Sequence, residues 1–590
     1  MTKFQPHSNQ SDPQVNLTIV RRAAPLHPPL LDPQMHPVLQ RVYAARGVRS
    51  ALDLALSMQQ LLPVGTLDGV AAAALLLAQH RERGGLVLII GDFDADGATS
   101  TALFVRALRS WGFAAVDFLV PNRFEFGYGL TPEIVALAAL QRPTLIVTVD
   151  NGISSNAGVA AARAAGIDVL VTDHHLPGGE LPRANVIVNP NLSGSAFGSR
   201  ALAGVGVAFY VIVALRRVLD ARGLLPAGAL RAAELLDLVA LGTVADVVPF
   251  DANNRILVAH GLARIRAGRC VPGITALLEV ARRSPASLVA SDLGFAVAPR
   301  LNAAGRLTDM SIGIRCLLSE EPREARAAAQ ELDALNTQRR QIEARMQSEA
   351  LCAIRVLSDP DSGVTRAGVC LFDAAWHQGV VGLVASRVKE RLRRPVIAFA
   401  SVDAATLRGS ARSIPGIHVR DLLDTIAKRE PRLIQKFGGH AMAAGVQLAA
   451  ARLDQFAAAF DAECNAALAR LGSPDVIETD GELAVEELAL PLAAALRAGG
   501  PWGPGFPEPL FDGVFRIQSA RLLGERHLKL GLCAPEGRGQ FDAIAFNFSN
   551  GDPPALPRAG AAARLVYRLD SNEYQGERRL QFVIEHLLPA

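Results

Sequence analysis

Between residues 86 and 172, four short apolar runs alternate with alanine-rich helical stretches: LVLII (86–90), AAVDFLV (114–120), TLIVTV (144–149) and IDVLVT (167–172). Runs this short, β-branched and apolar on both faces read as strands buried on both sides. Strands of that kind separated by helices specify a parallel, doubly wound sheet. In such a sheet ligands bind beyond the carboxyl ends of the strands, so the residues that follow each run decide the chemistry.

Those residues are acids and histidines. The first run leads into GDFDADG, placing Asp92, Asp94 and Asp96 at alternating positions. The third leads into VDNG with Asp150, and the fourth into TDHH with Asp173, His174 and His175. A later apolar stretch, VALGTVADVVPF, offers Asp246. Taken singly, each has an ordinary explanation, since Asp and Gly are turn residues. An EF-hand is excluded because its further oxygen ligands and late Glu are absent. Taken together, acids from several strand ends converge on one edge, where they repel unless something positive sits among them. Asp-rich sites with an imidazole suit Mg2+ or Mn2+, and paired ions can clamp a phosphoryl oxygen. The pattern predicts a metal-dependent phosphoester hydrolase.

At about 150 residues per domain, a chain of 590 residues holds about three to five domains. Residues 1–80 read as a proline-rich arm and lead-in, 81–320 as the α/β domain with a helical extension, and 321–357 as a charged connecting helix. A second α/β block is expected over 358–472. Residues 473–590 open helically and turn strand-like after PWGPGFPEP (501–509), suggesting a small barrel or sandwich. In that segment Phe546, Phe548 and Tyr574 are candidates for base stacking or for core, with core the better reading.

The formal charge is +3, from 60 basic and 57 acidic residues, so a nucleic-acid site must be a local groove. The six cysteines form no CxxC pair, which argues against thiolate zinc sites and a disulfide framework and suits a reducing cytoplasm. The longest apolar run, 69–78, is too short to span a bilayer, and the polar N-terminus carries no signal-peptide pattern. Membrane and secretory roles are therefore set aside.

Five further strings could carry chemistry. NRFEFGYG (122–129) contains Arg123; PRLNAAGRL (299–307) contains Arg300, Asn302 and Arg306; WHQGVVGLVASR (376–387) is a glycine-rich loop before a helix. LRGSARSIPG (407–416) contains Ser410 and Arg412, and KFGGHAMAAG (436–445) contains Gly438, Gly439 and His440. Glycine admits close approach of an anion and arginine grips phosphate bidentately. Singly each is a tight turn; jointly they point to a groove for a polyanion.

With these strings in order, and with VYAARGVRS, LAGVGVAFY, LLDLVALGTVADVVP and PWGPGFPEPLFDG among them, nearly the whole chain resembles the RecJ family of exonucleases within the DHH phosphoesterase superfamily. The resemblance implies a doubly wound DHH domain, a long connecting helix, a second α/β domain of the DHHA1 type and a C-terminal OB-fold barrel. It implies stepwise removal of nucleotides from the 5′ end of single-stranded DNA in repair and recombination. Two Mn2+ or Mg2+ ions would be held by Asp94, Asp96, Asp150, His174 and Asp246, with Asp92 and His175 in supporting roles. Arg123, Arg300, Ser410 and Arg412 are expected to receive the 5′-terminal phosphate and adjacent backbone. Asn302, Arg306, Gly438, Gly439 and His440 are expected to line the strand's path, in a channel too narrow for duplex. Single-strand-binding protein and a RecQ-type helicase are implied partners of a cytoplasmic, nucleoid-associated monomer. Relatives that cleave pyrophosphate carry a histidine where this chain has Ile90. The competing readings are a nanoRNase or nucleotide phosphatase of the same superfamily, which would be shorter and lack the barrel, and a non-catalytic replication scaffold, which would not need the full set of acids.

Overall fold

The structure is a computed structural model. It describes residues 18–23, 31–121, 126, 129–357, 366–471, 476–524, 526–548, 556–574 and 577–589. In chain order, β1 (Thr18–Arg21), α1 (Pro37–Ala44) and α2 (Val70–Arg83) precede the alternation read from the sequence. That alternation is β2 (Leu86–Gly91), α3 (Ala95–Ser110), β3 (Ala115–Leu119), α4 (Pro132–Ala139), β4 (Pro143–Val149), α5 (Asn156–Ala164), β5 (Asp168–Thr172) and β6 (Val186–Val188). The helical extension contains α6 (Gly204–Ala221), α7 (Leu236–Ala245), α8 (Ala252–Arg266), α9 (Pro272–Val280) and α10 (Ala290–Asp292). A π-helical turn (Leu293–Val297) leads to α11 (Ala298–Leu307), α12 (Ser311–Leu318) and the long α13 (Pro322–Leu357). Next come β7 (Val369–Phe372), α14 (Val381–Leu392), β8 (Val396–Ser401), β9 (Thr406–Arg412), α15 (Val419–Arg429), β10 (Lys436–Gly439), β11 (Ala443–Ala449) and α16 (Leu453–Leu471). The chain ends with β12 (Val476–Thr479), α17 (Leu490–Ala498), β13 (Phe511–Leu523), β14 (His527–Cys533), β15 (Phe541–Ala545), β16 (Ala562–Tyr574) and β17 (Glu577–Pro589).

Two compact units result, Met1–Arg22 with Gln338–Thr479 and Ala23–Thr337 with Asp480–Ala590. In the larger unit the first sheet runs β3-β2-β4-β5-β6, with every pair parallel. Successive strand residues feed two cores. Val87, Ile89, Leu145 and Val147 pack on the side of α2, α3 and α6, whereas Leu88, Ile90, Ile146 and Val169 pack on the side of α4 and α5. This two-sided burial is why the strands read as continuous apolar runs. The order reverses between β2 and β4, which opens a crevice at their carboxyl ends. Helix α2 sits in the same core, with Ala73, Ala74 and Leu77 fully buried.

The same unit carries a closed five-stranded barrel, β13-β14-β15-β17-β16. Leu528, Leu530 and Leu532 alternate inward along β14. Phe515, Tyr567 and Phe582 fill the barrel with stacked and edge-on rings. Phe548 packs partly against the core, but Phe546 is 55% exposed, with its ring edge-on to His527. The Tyr574 side chain lies outside the described residues. A buried bidentate pair, Arg46 with Asp480 at 2.7 and 2.9 Å, ties the end of α1 to the segment entering the barrel. Burial of such a pair is stabilising only because both forks are satisfied.

The smaller unit holds the mixed sheet β10-β11-β9-β8-β7 and the parallel pair β1 and β12. Strand β9 alternates cleanly: Leu407, Gly409 and Ala411 face the core, while Arg408, Ser410 and Arg412 face the other way. Among the described residues no single helix is long and apolar enough to cross a membrane.

Candidate metal centre

The crevice between β2 and β4 collects the acids. Asp94 caps α3, its Oδ1 accepting from the amides of Asp96 and Gly97 at 3.0 Å each. This cap turns the chain sharply from strand to helix and aims Asp96 into the crevice. Asp96 is buried, and its Oδ2 and Oδ1 accept from the amides of Gly204 and Val205 at 2.6 and 3.0 Å. Those are the first amides of α6, donors with no partner inside the helix and at its positive dipole end. Asp150 follows β4 with φ of +62°. A non-glycine residue rarely takes this conformation, and such strain gathers at working sites.

The DHH segment is held by its neighbours. Asp173 Oδ2 accepts from Ile153 N at 2.8 Å, and its Oδ1 accepts from the amides of His174 and His175 at 2.7 and 3.0 Å. Asn191 and Asn189 donate to the carbonyls of His174 and His175. His175 Nδ1 is 2.7 Å from Asp173 Oδ1. From the far side, α7 delivers Asp246 at its C-terminal cap.

These side chains converge. His174 Nε2 lies 3.2 Å from Asp150 Oδ1 and 3.5 Å from Asp246 Oδ2. Both His174 Nε2 and Asp246 Oδ2 are buried and make no hydrogen bond among the described residues. Three sets of donor atoms each fall within 4.8 Å: Asp96, His174 and Asp246; Asp150, His174 and His175; Asp92, Asp94 and Asp150. His174 belongs to the first two sets and Asp150 to the last two. Overlapping sets built from carboxylate oxygen and imidazole nitrogen fit a pair of hard divalent cations.

The electrostatics say the same. Burial first, then the charges of Asp246 and Asp94, push the Asp96 carboxyl well above the usual range. Burial and the charges of Asp96 and Asp94 do this to Asp150, and burial also raises Asp246. His175 resists burial through its hydrogen bond to Asp173 and is held up at about 9. Burial opposes ionisation of Asp173, but the His175 bond and charge hold its carboxyl below the usual range.

Two glycines make this packing possible. A Cβ on Gly204 would stand 2.7 Å from Asp150 Oδ1, and one on Gly242 would stand 2.2 Å from Thr99 Oγ1 and 2.7 Å from Asp96 Oδ1. The sequence reading passed over both glycines, along with the braces Asn189 and Asn191. The available signal was glycine inside an otherwise apolar helical run.

The other expected site residues fall in three places. Arg123 lies outside the described residues. On α11, Arg300 is paired with Asp333 of α13 at 2.8 Å, and Asn302 Oδ1 accepts from Ala95 N at 2.7 Å, so both brace the fold. Asn302 thereby fixes the loop of Asp94 and Asp96 from behind. Arg306, on the same helix, is partly buried. Ser410, Arg412, Gly438, Gly439 and His440 gather on one sheet of the smaller unit. Arg412 Nη1 donates to Ser410 Oγ at 2.9 Å, Ser410 pairs with Gly445, and His440 N bonds Ala443 O at 2.7 Å. Gly439 has φ of +141° and its Cβ would meet Ala443 O at 2.5 Å, so only glycine fits there.

Comparison with known proteins bears on the whole chain. A DHH family N-terminal domain matches residues 86–243, a DHHA1 domain residues 364–466, and a RecJ OB domain residues 479–586. The single-stranded-DNA-specific exonuclease RecJ of Dickeya dadantii is 52% identical over 580 residues, covering 98% of this chain and 100% of that protein. Crystal structures of RecJ from Thermus thermophilus with Mn2+ and with Mg2+ superpose with TM-scores of 0.76 and 0.71, at 32% and 30% identity. They cover 94% of this chain and 76% and 75% of those chains. Three family domains along the chain, and a relative 52% identical from end to end, place this chain in the RecJ family.

Proposed function

We propose that the chain is a metal-dependent exonuclease that removes nucleotides one after another from the 5′ end of single-stranded DNA. The observation that carries this reading is the convergence of Asp94, Asp96, Asp150, His174 and Asp246 on overlapping donor sets at the sheet's switch point. Those five residues hold two Mn2+ or Mg2+ ions, with Asp92 in support. When bound, the ions polarise the phosphoryl oxygen and lower the pKa of an attacking water. Asp94 and Asp96 are fixed by the amides at the starts of α3 and α6, so the site is organised before substrate arrives. His175, oriented by Asp173 and protonated near neutrality, donates a proton to the departing oxygen. Arg412 and Ser410, preassembled as a hydrogen-bonded pair, receive the terminal phosphate, with Gly438 and Gly439 of β10 and then His440 beside them. Arg306 and Arg123 contribute to the strand's path. The enzyme works as a cytoplasmic, nucleoid-associated monomer, with single-strand-binding protein and a RecQ-type helicase as partners.

The test is digestion of end-labelled single- and double-stranded DNA with either end blocked. Release is expected only from an unblocked single-stranded 5′ end. Arg412→Ala is expected to cut activity by about tenfold or more on 5′-phosphorylated ends, and by less on 5′-hydroxyl ends. Equal losses on both would remove Arg412 from the phosphate site.

Ion binding also couples to pH. Because the carboxyls of Asp96, Asp150 and Asp246 are raised in the fold, the ion-free protein binds protons that the unfolded chain has released above pH of about 4. Its stability therefore falls as pH rises toward the raised values. The contribution of His175 is complete below its unfolded pKa of about 6.5 and is lost on rising through about 9, so it acts in the same direction. Asp173, held low, changes only in acid. In chelator, the melting temperature is expected to drop as pH rises from about 4 through about 9. Mn2+ at about a hundredfold over its Kd should add about 2.7 kcal/mol at the upper end and progressively less toward the lower. A Mn2+ stabilisation that does not depend on pH would contradict this assignment.

A further inference from the structure

Asp246 is followed by three local features that a chain folding only for stability would avoid. Val247, directly after it, is β-branched, sits at φ of +63° and is 65% exposed. The π-helical turn (Leu293–Val297) packs against the same end of α7, where a Cβ on Gly294 would lie 3.2 Å from Val244 Cγ1. Within that turn Leu293, Ala296 and Val297 are buried, but Phe295 is pushed outward and is 84% exposed. A π turn carries an extra residue per turn, which lets the flanking helices keep their buried faces while one side chain is extruded.

Burying a phenylalanine is ordinarily worth about 1.5–3 kcal/mol, so holding one in water forgoes stability. Phe295 has no aromatic partner among the described residues. From Gly294 to Val244, and two residues on to Asp246, the backbone path spans on the order of 10 Å, about the reach of a nucleotide from its phosphate to its base. A ring exposed beside that path is placed to meet a base of a strand whose phosphate the acids hold. Every base has a π face, so such a contact grips an unpaired strand without reading its sequence, and paired bases cannot offer it.

We propose that Phe295 is the platform on which an unpaired base beside the cleaved phosphodiester stacks. This rests on the exonuclease reading above and adds a subsite that discriminates single strand from duplex.

The test uses the full chain with Mn2+ and 5′-phosphorylated oligonucleotides, either unmodified or carrying an abasic nucleotide at each of the first three positions in turn. The wild-type protein is expected to lose about tenfold in kcat/KM at one abasic position. Phe295→Ala is expected to lose about tenfold on unmodified DNA and nothing further at that position, while Phe295→Trp restores both behaviours. Phe295→Ala digesting at the wild-type rate, or remaining as sensitive to the abasic position as the wild type, would overturn the assignment while leaving the exonuclease reading intact. No release from unmodified DNA by the wild-type protein would overturn the exonuclease reading and the stacking subsite with it.

Discussion

Replacing Asp150 by alanine is expected to lower the cleavage rate by about a thousandfold or more while leaving binding of single-stranded DNA within about twofold. Asp150 is shared by two of the three donor sets and lies 3.2 Å from the His174 nitrogen, so its loss unmakes more of the site than the loss of a peripheral acid. Binding is expected to survive because Ser410 and Arg412, proposed above to receive the terminal phosphate, do not depend on this carboxylate. Alanine is strained at the φ of +62° that Asp150 adopts, so Asp150→Asn is the companion variant. Asparagine tolerates that backbone and keeps the shape but not the charge. Both variants should fold and bind DNA, and neither should turn over. Normal turnover by Asp150→Asn would remove this residue from the ion-binding set.

The second large effect is expected from a residue with no chemistry of its own. Gly242→Ala places a Cβ 2.2 Å from Thr99 Oγ1 and 2.7 Å from Asp96 Oδ1, between α7 and α3. Nothing there is a flexible chain end. The helices must separate or Asp96 must leave its amides, so a loss of about 1–3 kcal/mol in stability is expected. Mn2+ affinity should fall about 10- to 100-fold, as when the support of a metal ligand is removed. Calorimetry and Mn2+ titration read the two effects separately. Gly65→Ala, whose Cβ would meet nothing within 4 Å, should change neither. Unaltered Mn2+ affinity in Gly242→Ala would mean that Asp96 is not held in place by this packing.

What could be read from the chain follows from how each feature is encoded. Strands β2, β4 and β5 are continuous apolar runs because both faces are buried, and that pattern is local. The acids after them were legible for the same reason: a parallel sheet puts every strand's carboxyl end on one edge. The barrel announced itself through alternation along β14 and the Pro/Gly turns before β13.

The supports were not legible, because they join distant segments. Asn302 reads as a substrate contact in PRLNAAGRL, yet it binds the amide of Ala95, a partner 207 positions away. Arg300 reads as a free phosphate ligand, and its pairing with Asp333 appears only once α11 and α13 are folded. Gly204 and Gly242 look like weak points in helices until the carboxylates they admit are in view. Asp173 stood in plain sight beside two histidines, but its buried hydrogen bonds, and not its position in the sequence, make it the residue that sets the His175 proton.

The most direct measurement is anomalous diffraction from crystals of the full chain grown with Mn2+, recorded at the manganese edge. Two peaks are expected about 3.5–4 Å apart, within coordination distance of Asp94, Asp96, Asp150, His174 and Asp246. A crevice with no anomalous peak at saturating Mn2+, or peaks bound to other residues while these five side chains point apart, would contradict the account.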